Sequence, residues 1–210
     1  ARLCRDGEAL EMLSSLLPRC AVEYTVELGG VCMSGEECAP APGACTAQEV
    51  HRALARLPKA EHIDLRRTGI PAVQARELAM EHPQCSFLWE EELGGVRFRT
   101  DAAELDFSGI PMEGTEEIEA LLPFLPNLRK MILCDCGIGS ETMAALGRRH
   151  PKIRFVWRVK LGPLSARTDD TWFAPITKGQ LIGGSDADEL KYCIDMECID
   201  LGHCWIRDCE

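Results

Sequence analysis

The chain has 210 residues, 46% of them hydrophobic and 27% charged, the balance of an ordinary globular domain rather than a disordered polypeptide. Against 23 basic side chains stand 34 acidic ones, a formal net charge of −11, so a phosphate backbone or an anionic lipid surface would repel the molecule as a whole. No apolar run is long enough to span a membrane, no signal-peptide pattern opens the chain, and Ala1 in place of methionine points to a processed or cut N-terminus.

In chain order, the first patterned stretch is PRCAVEYTVELGGV (Pro18 to Val31), an extended run ending in a glycine pair. SGEECAPAPGAC (Ser34 to Cys45) then reads as a Pro/Gly/Cys-rich loop with few apolar anchors. A bridge in such a loop would stabilise it by roughly 2–4 kcal/mol, so at least one disulfide is expected among Cys4, Cys20, Cys32, Cys38 and Cys45. TAQEVHRALARL (Thr46 to Leu57) predicts a helix: Thr46 and Glu49 make a capping box, and Val50, Ala53, Leu54 and Leu57 form one apolar stripe. Ile118, Leu121, Leu122 and Leu125 have the same spacing further on. FLWEEEL (Phe87 to Leu93) and IRFVWRVKL (Ile153 to Leu161) alternate like strands and meet Gly94-Gly95 or Gly162-Pro163, so each predicts a β-hairpin. The segment Asp169 to Ser185, DDTWFAPITKGQLIGGS, reads as an irregular insertion.

Much of this is one pattern repeated. Leu57 to Asp101 lies on Leu125 to Asp169 at a constant offset of 68, matching Gly69-Ile70 with Gly137-Ile138, His82-Pro83 with His150-Pro151, Trp89 with Trp157 and Arg99-Thr100-Asp101 with Arg167-Thr168-Asp169. An offset of 65 carries Pro18 to Val31 onto Pro83 to Val96. Inside each period a shorter motif recurs: Leu128-x-x-Met131-x-Leu133-x-x-Cys136-x-Ile138, and equally Ala60, Ile63, Leu65, Thr68, Ile70; Ala102, Leu105, Phe107, Ile110, Met112; and Met196, Ile199, Leu201, Cys204, Ile206.

In these four segments the chain resembles the leucine-rich repeat family, with the spacing L-x-x-L-x-L-x-x-N/C-x-L. The match is of spacing more than identity, since Ala60, Thr68, Ala102 and Ile110 depart from the family's residue types. The resemblance implies a right-handed α/β solenoid, a leucine-rich-repeat-like fold with a mostly parallel sheet, to which the hairpins are an addition. It further implies one domain over residues 1–210: a capping segment with the Cys-rich loop (1–50), then repeats of about 68 residues (51–210). Secreted and cell-surface members of bacteria are the relatives it suggests. The 12 cysteines agree with an extracellular or cell-surface location, the cytoplasm of an anaerobe being the alternative.

The chemistry-bearing residues mostly have structural roles in this reading. Cys136 and Cys204 fall on the N/C position and are expected buried and reduced, whereas Cys134 falls on a variable, outward position. Zinc would need converging ligands, and Cys134-x-Cys136 or Cys193, Cys198, Cys204, Cys209 with His203 are poorly spaced for that. His82 and His150 read as helix C-terminal histidines, Trp89 and Trp157 as core or hairpin residues. No G-x-S-x-G, H-E-x-x-H or phosphate loop occurs.

The expected function is therefore non-catalytic protein–protein recognition, without cofactor, metal, nucleic acid or membrane insertion. A thiol-dependent hydrolase using a Cys/His pair and a structural metal-binding protein are the alternatives. The binding strip lies between the inward leucines: Asp64, Arg66 and Arg67; Asp106 and Ser108; Ile132, Cys134 and Asp135; Asp200, Gly202 and His203. The last motif ends in Arg207-Asp208-Cys209-Glu210 with no helix to cover it. Either continuation of the repeat past Glu210 or self-association through that edge is expected.

Overall fold

The computed structural model describes residues 12, 15–17, 26–28, 31–33, 37–38, 43, 45–55, 57, 60–174 and 179–207. The chain divides into two compact units, Ala1–Glu91 and Glu92–Glu210.

In the first unit β1 (Val26–Leu28) and β2 (Val31–Met33) form an antiparallel hairpin. Then follow β3 (Glu37–Cys38), α1 (Ala47–Leu54), β4 (His62–Asp64), α2 (Ala72–Glu81) and β5 (Ser86–Leu88). The three later strands make a parallel sheet in chain order. Helix α1 starts where the capping box requires: Thr46 N donates to Glu49 Oε2 at 2.7 Å, and Glu49 N donates back to Thr46 Oγ1 at 3.3 Å. It buries Val50, Ala53 and Leu54 but ends before Leu57, which is buried beyond its last turn.

The division falls inside β6 (Glu90–Leu93), which forms a hairpin with β7 (Val96–Arg99). The second unit continues with β8 (Glu104–Asp106), α3 (Glu116–Leu121), β9 (Lys130–Ile132), α4 (Ser140–Arg149) and β10 (Arg154–Val156). Strands β8, β9 and β10 again lie side by side and parallel. The stripe that began in α3 is carried on by a 3₁₀ turn, Leu122–Phe124, because Pro123 cannot continue the α-helical bonding. Ile118, Leu121, Leu122 and Leu125 are all buried.

A second hairpin, β11 (Arg158–Leu161) with β12 (Leu164–Arg167), comes next. After it come β13 (Trp172–Phe173), β14 (Gln180–Gly183), α5 (Gly184–Ala187), a 3₁₀ turn Asp188–Tyr192, β15 (Cys198–Ile199) and β16 (Cys204–Arg207). The pairs β13–β15 and β14–β16 are parallel. The architecture is thus mixed α/β with several small sheets, largely parallel apart from the hairpins, and no sheet among the described residues closes into a barrel.

The period has a structural meaning. Lys130 pairs with Glu104, 26 residues before it, and with Arg154, 24 residues after it. The same 26-residue step joins Trp172 to Cys198, and a 24-residue step joins His62 to Ser86 and Gln180 to Cys204. Backbone details recur as well: the C-caps His82 and His150 have φ/ψ of −123/64° and −124/65°, and Arg67 and Asp135 both sit at positive φ, 65° and 58°. Each alternating run read as one strand is broken at its tryptophan. At Trp157 the chain exchanges its parallel partner for the hairpin: Thr168 N donates to Trp157 O at 2.9 Å, and Trp157 N donates to Thr168 Oγ1 at 3.2 Å.

Several expectations are corrected. The supposed insertion after Asp169 holds β13, 68 residues beyond β8, and Phe173 occupies the core place of Leu105. The motif was hidden because Thr171-Trp172-Phe173 lacks the L-x-L signature. The Cys-rich loop likewise contains β3. Cys134 is 2% exposed, not outward in solvent, because it packs with Ile132 and Val156 in a small cluster separate from the main core. Leu65, Phe107 and Leu133 are buried, and Leu201 packs against the main core of the second unit. Ile199 is 40% exposed and Cys204 half-buried, so the last motif is looser than the earlier ones. Cys45 is a free thiol, while Cys4, Cys20 and the side chains of Cys32 and Cys38 lie outside the described residues, as do Cys209 and the side chain of Ile206.

Candidate functional site

Side chains alternate across a strand, so the register of β8, β9 and β10 fixes which residues share a face. Leu105, Met131 and Phe155 stand abreast in the main core. On the other face stand Glu104, Lys130 and Arg154 as one row and Asp106, Ile132 and Val156 as the next. Alternation beyond the strand ends places Ser108, Cys134 and Arg158 after them. Of the expected strip, Asp106, Ser108, Ile132, Cys134 and Asp135 therefore come together in the second unit. Asp64, Arg66 and Arg67 follow β4 in the first unit, and Asp200, Gly202 and His203 follow β15 in another sheet.

Three of the aspartates share a backbone task. Asp64, Asp106 and Asp200 each accept, through Oδ1, the amide N–H two residues on, from Arg66 at 3.0 Å, Ser108 at 2.9 Å and Gly202 at 2.9 Å. A short carboxylate at the end of a strand can satisfy the first amide of the turn, the geometry of an Asx-turn. Asp64 also pairs with the Arg66 guanidinium, Nη2 to Oδ2 at 2.6 Å. Arg67, at positive φ, accepts from Gly43 N through its carbonyl at 2.6 Å. The strip thus shapes strand ends as well as presenting charge.

The second unit's face carries an ion network that the sequence reading missed. Lys130 Nζ lies 3.1 Å from Asp169 Oδ2 and 3.7 Å from Glu104 Oε1. Arg167 holds Asp169 in a two-pronged pair at 2.8 and 2.9 Å, Arg158 reaches Asp135 at 3.1 Å, and Arg154 pairs with Asp195. The Arg167 guanidinium and Lys130 together hold the Asp169 carboxyl down to about 2. Asp106 is lowered too, first by its bonds from Ser108 and then by Arg167 and Lys130. Beside this face is a shallow cleft of about 650 Å³ lined by Lys130, Arg154, Asp169, Thr171, Ile194, Asp195, Met196 and Glu197. The missed residues were recoverable: Glu104 and Lys130 lie two positions before Asp106 and Ile132, on the same face of any strand.

The thiols have the character of packed side chains. Cys136 Sγ donates to Phe107 O at 3.1 Å, and its counterpart Thr68 donates through Oγ1 to Leu65 O at 2.6 Å. Cys85 and Cys193 donate to Ala60 O and Arg167 O. Burial pushes the thiols of Cys45, Cys134, Cys136 and Cys193 above the ordinary value, away from the thiolate.

A separate constellation lies in the first unit, where α1 and α2 end side by side. His51, Glu81 and His82 turn ligand-type atoms toward one another, all within 4.8 Å. His51 Nδ1 is 2.9 Å from His82 Nε2 and 3.2 Å from Glu81 Oε2. Partial burial and the neighbouring His51 lower the His82 imidazole's proton affinity, favouring its neutral form.

No protein-family model matches the chain, nor does any curated protein or solved structure.

Proposed function

We propose that this chain is a non-catalytic recognition module of leucine-rich-repeat type, a solenoid that binds another protein across the free face of β8–β10. The observation that carries the reading is the row structure of that face. Glu104, Lys130 and Arg154 on one side and Ser108, Cys134 and Arg158 on the other flank the small Ile132–Cys134–Val156 cluster, next to an open cleft. Parallel strands at steps of 24 and 26 residues, with Thr68 and Cys136 bonding backbone carbonyls at the N/C position, support the solenoid. Thiols raised by burial support a non-catalytic role. An extracellular or cell-surface setting belongs to the same proposal, on the strength of the cysteine content.

The test places a photo-crosslinking residue at Ser108, on the binding face, or at Glu117, on an exposed helix surface. In the native milieu a discrete protein adduct should form from position 108 and not from 117. Equal adducts from both positions, or none from 108, would overturn the assignment of this face.

A further inference from the structure

We propose that His51, Glu81 and His82 form a binding site for a divalent transition-metal ion of the zinc class. Its ligands would be His51 Nδ1, a Glu81 carboxylate oxygen and His82 Nε2, with the remaining position open to solvent. Two imidazoles and one carboxylate are the donor set such an ion takes when it keeps an open position. Donors about 2.0–2.1 Å from a tetrahedral ion lie about 3.4 Å from one another. Here His51 Nδ1 stands 2.9 Å from His82 Nε2 and 3.2 Å from Glu81 Oε2, and no two of the three atoms are more than 4.8 Å apart. Only small rotations of exposed side chains are needed to close the set, since His51 and Glu81 are more than half exposed.

The backbone already positions them. His51 is in the last turn of α1, Glu81 ends α2 and His82 caps it, with His82 N donating to Leu78 O. Two helix ends are thereby brought to one point, so an ion there would tie α1 to α2.

The repeat supplies an internal comparison. At the offset of 68, the positions of His51, Glu81 and His82 are held by Glu119, Arg149 and His150. There Arg149 Nε donates to Glu119 Oε1 at 2.7 Å, and His150 Nε2 lies 3.6 Å from the same oxygen. The second unit fills the corner with a guanidinium. The first places there two imidazole nitrogens and a carboxylate, which a dication satisfies together.

Cobalt(II) titration of the chelator-stripped full chain tests this, because cobalt reports its ligands by absorption. The wild type should bind an equivalent with weak visible bands and no thiolate charge-transfer band. The double variant His51→Glu/Glu81→Arg, which installs the second unit's own ion pair, should lose that equivalent while keeping its circular dichroism. His82→Ala should lose it too, and serves if the double variant misfolds. Zinc should displace the bound cobalt. Absence of binding by the wild type, persistence in both variants, or a thiolate band showing that the ion sits on cysteines would each overturn the proposal.

Discussion

Asp169 is the most strongly perturbed acid among the described residues, and its carboxyl is the junction of two cations. Arg167 and Lys130 hold it at about 2 from an ordinary 3.8, and its side chain is only 14% exposed. A carboxyl whose folded value lies below its unfolded one adds stability that is present above the unfolded value. That stability is lost as pH falls through the folded value. Asp169→Asn should therefore cost about 1–2 kcal/mol at neutral pH, and the gap between the two proteins should close as pH falls from about 4 toward about 2. Urea melts of both proteins across that window check it; a gap independent of pH would mean that Asp169 acts by shape alone. A different balance holds at Glu91, which is buried and receives Arg76 at 2.6 and 2.7 Å and the Trp89 indole at 2.8 Å. At the offset of 68 the pair becomes Ala144 and Val159, and Trp157 Nε1 is left without a partner. Removing one partner strands a buried charge, whereas an apolar replacement of both is far cheaper. Arg76→Ala should cost roughly 3 kcal/mol, and Arg76→Ala/Glu91→Val distinctly less. Equal losses in the two variants would refute the coupling.

Strand β9 shows most directly what alternation does at the scale of an element. Leu133 enters the main core, while Ile132 lies on the other face in a cluster of three with Cys134 and Val156. Leu133→Ala should cost roughly 2–5 kcal/mol, as deletions in a large, fully packed core do. Ile132→Ala should cost less, since the small cluster has fewer neighbours to leave unfilled. Chemical denaturation of both variants measures the difference, and equal losses would mean that the two faces are packed alike. Such alternation was legible from residues alone, as were the capping box at Thr46, the histidine ends of α2 and α4, and the hairpins after Trp89 and Trp157. Each rests on local chemistry: a side chain bonding within its own turn, or a period of two or 3.6. What stayed hidden depended on distant partners. Strand β13 has no motif of its own and exists because Phe173 fills the place that Leu105 fills one period earlier. The burial of Cys134 depends on Val156 in the next strand. The His51–Glu81–His82 corner brings together residues 30 positions apart, and no short spacing signals it.

Across the whole chain, cysteine chemistry separates the competing functions. Seven described cysteines are free: Cys45, Cys85, Cys134, Cys136 and Cys193 are buried, Cys204 is half-buried and Cys198 is exposed. Alkylation requires a thiolate that the reagent can reach, and burial removes access while raising the thiols of Cys45, Cys134, Cys136 and Cys193. In the folded protein at neutral pH, iodoacetamide should therefore mark Cys198 first and Cys204 more slowly. The five buried sites should react only as fast as their surroundings open. Timed alkylation followed by peptide mapping reads this order. A nucleophilic cysteine would invert it, because an activated thiolate reacts ahead of an ordinary exposed thiol; a burst at Cys134, Cys136 or Cys193 would sink the non-catalytic reading and favour a thiol hydrolase. The same digest without reductant bears on location. An exported chain should show a bridge among Cys4, Cys20, Cys32 and Cys38, since oxidising surroundings keep disulfides that a reducing cytoplasm does not. Twelve free thiols would instead place the chain in a reducing compartment. The sheet-face proposal would then stand without its extracellular setting, because the ion network of Lys130, Arg158, Arg167 and Asp169 requires no disulfide.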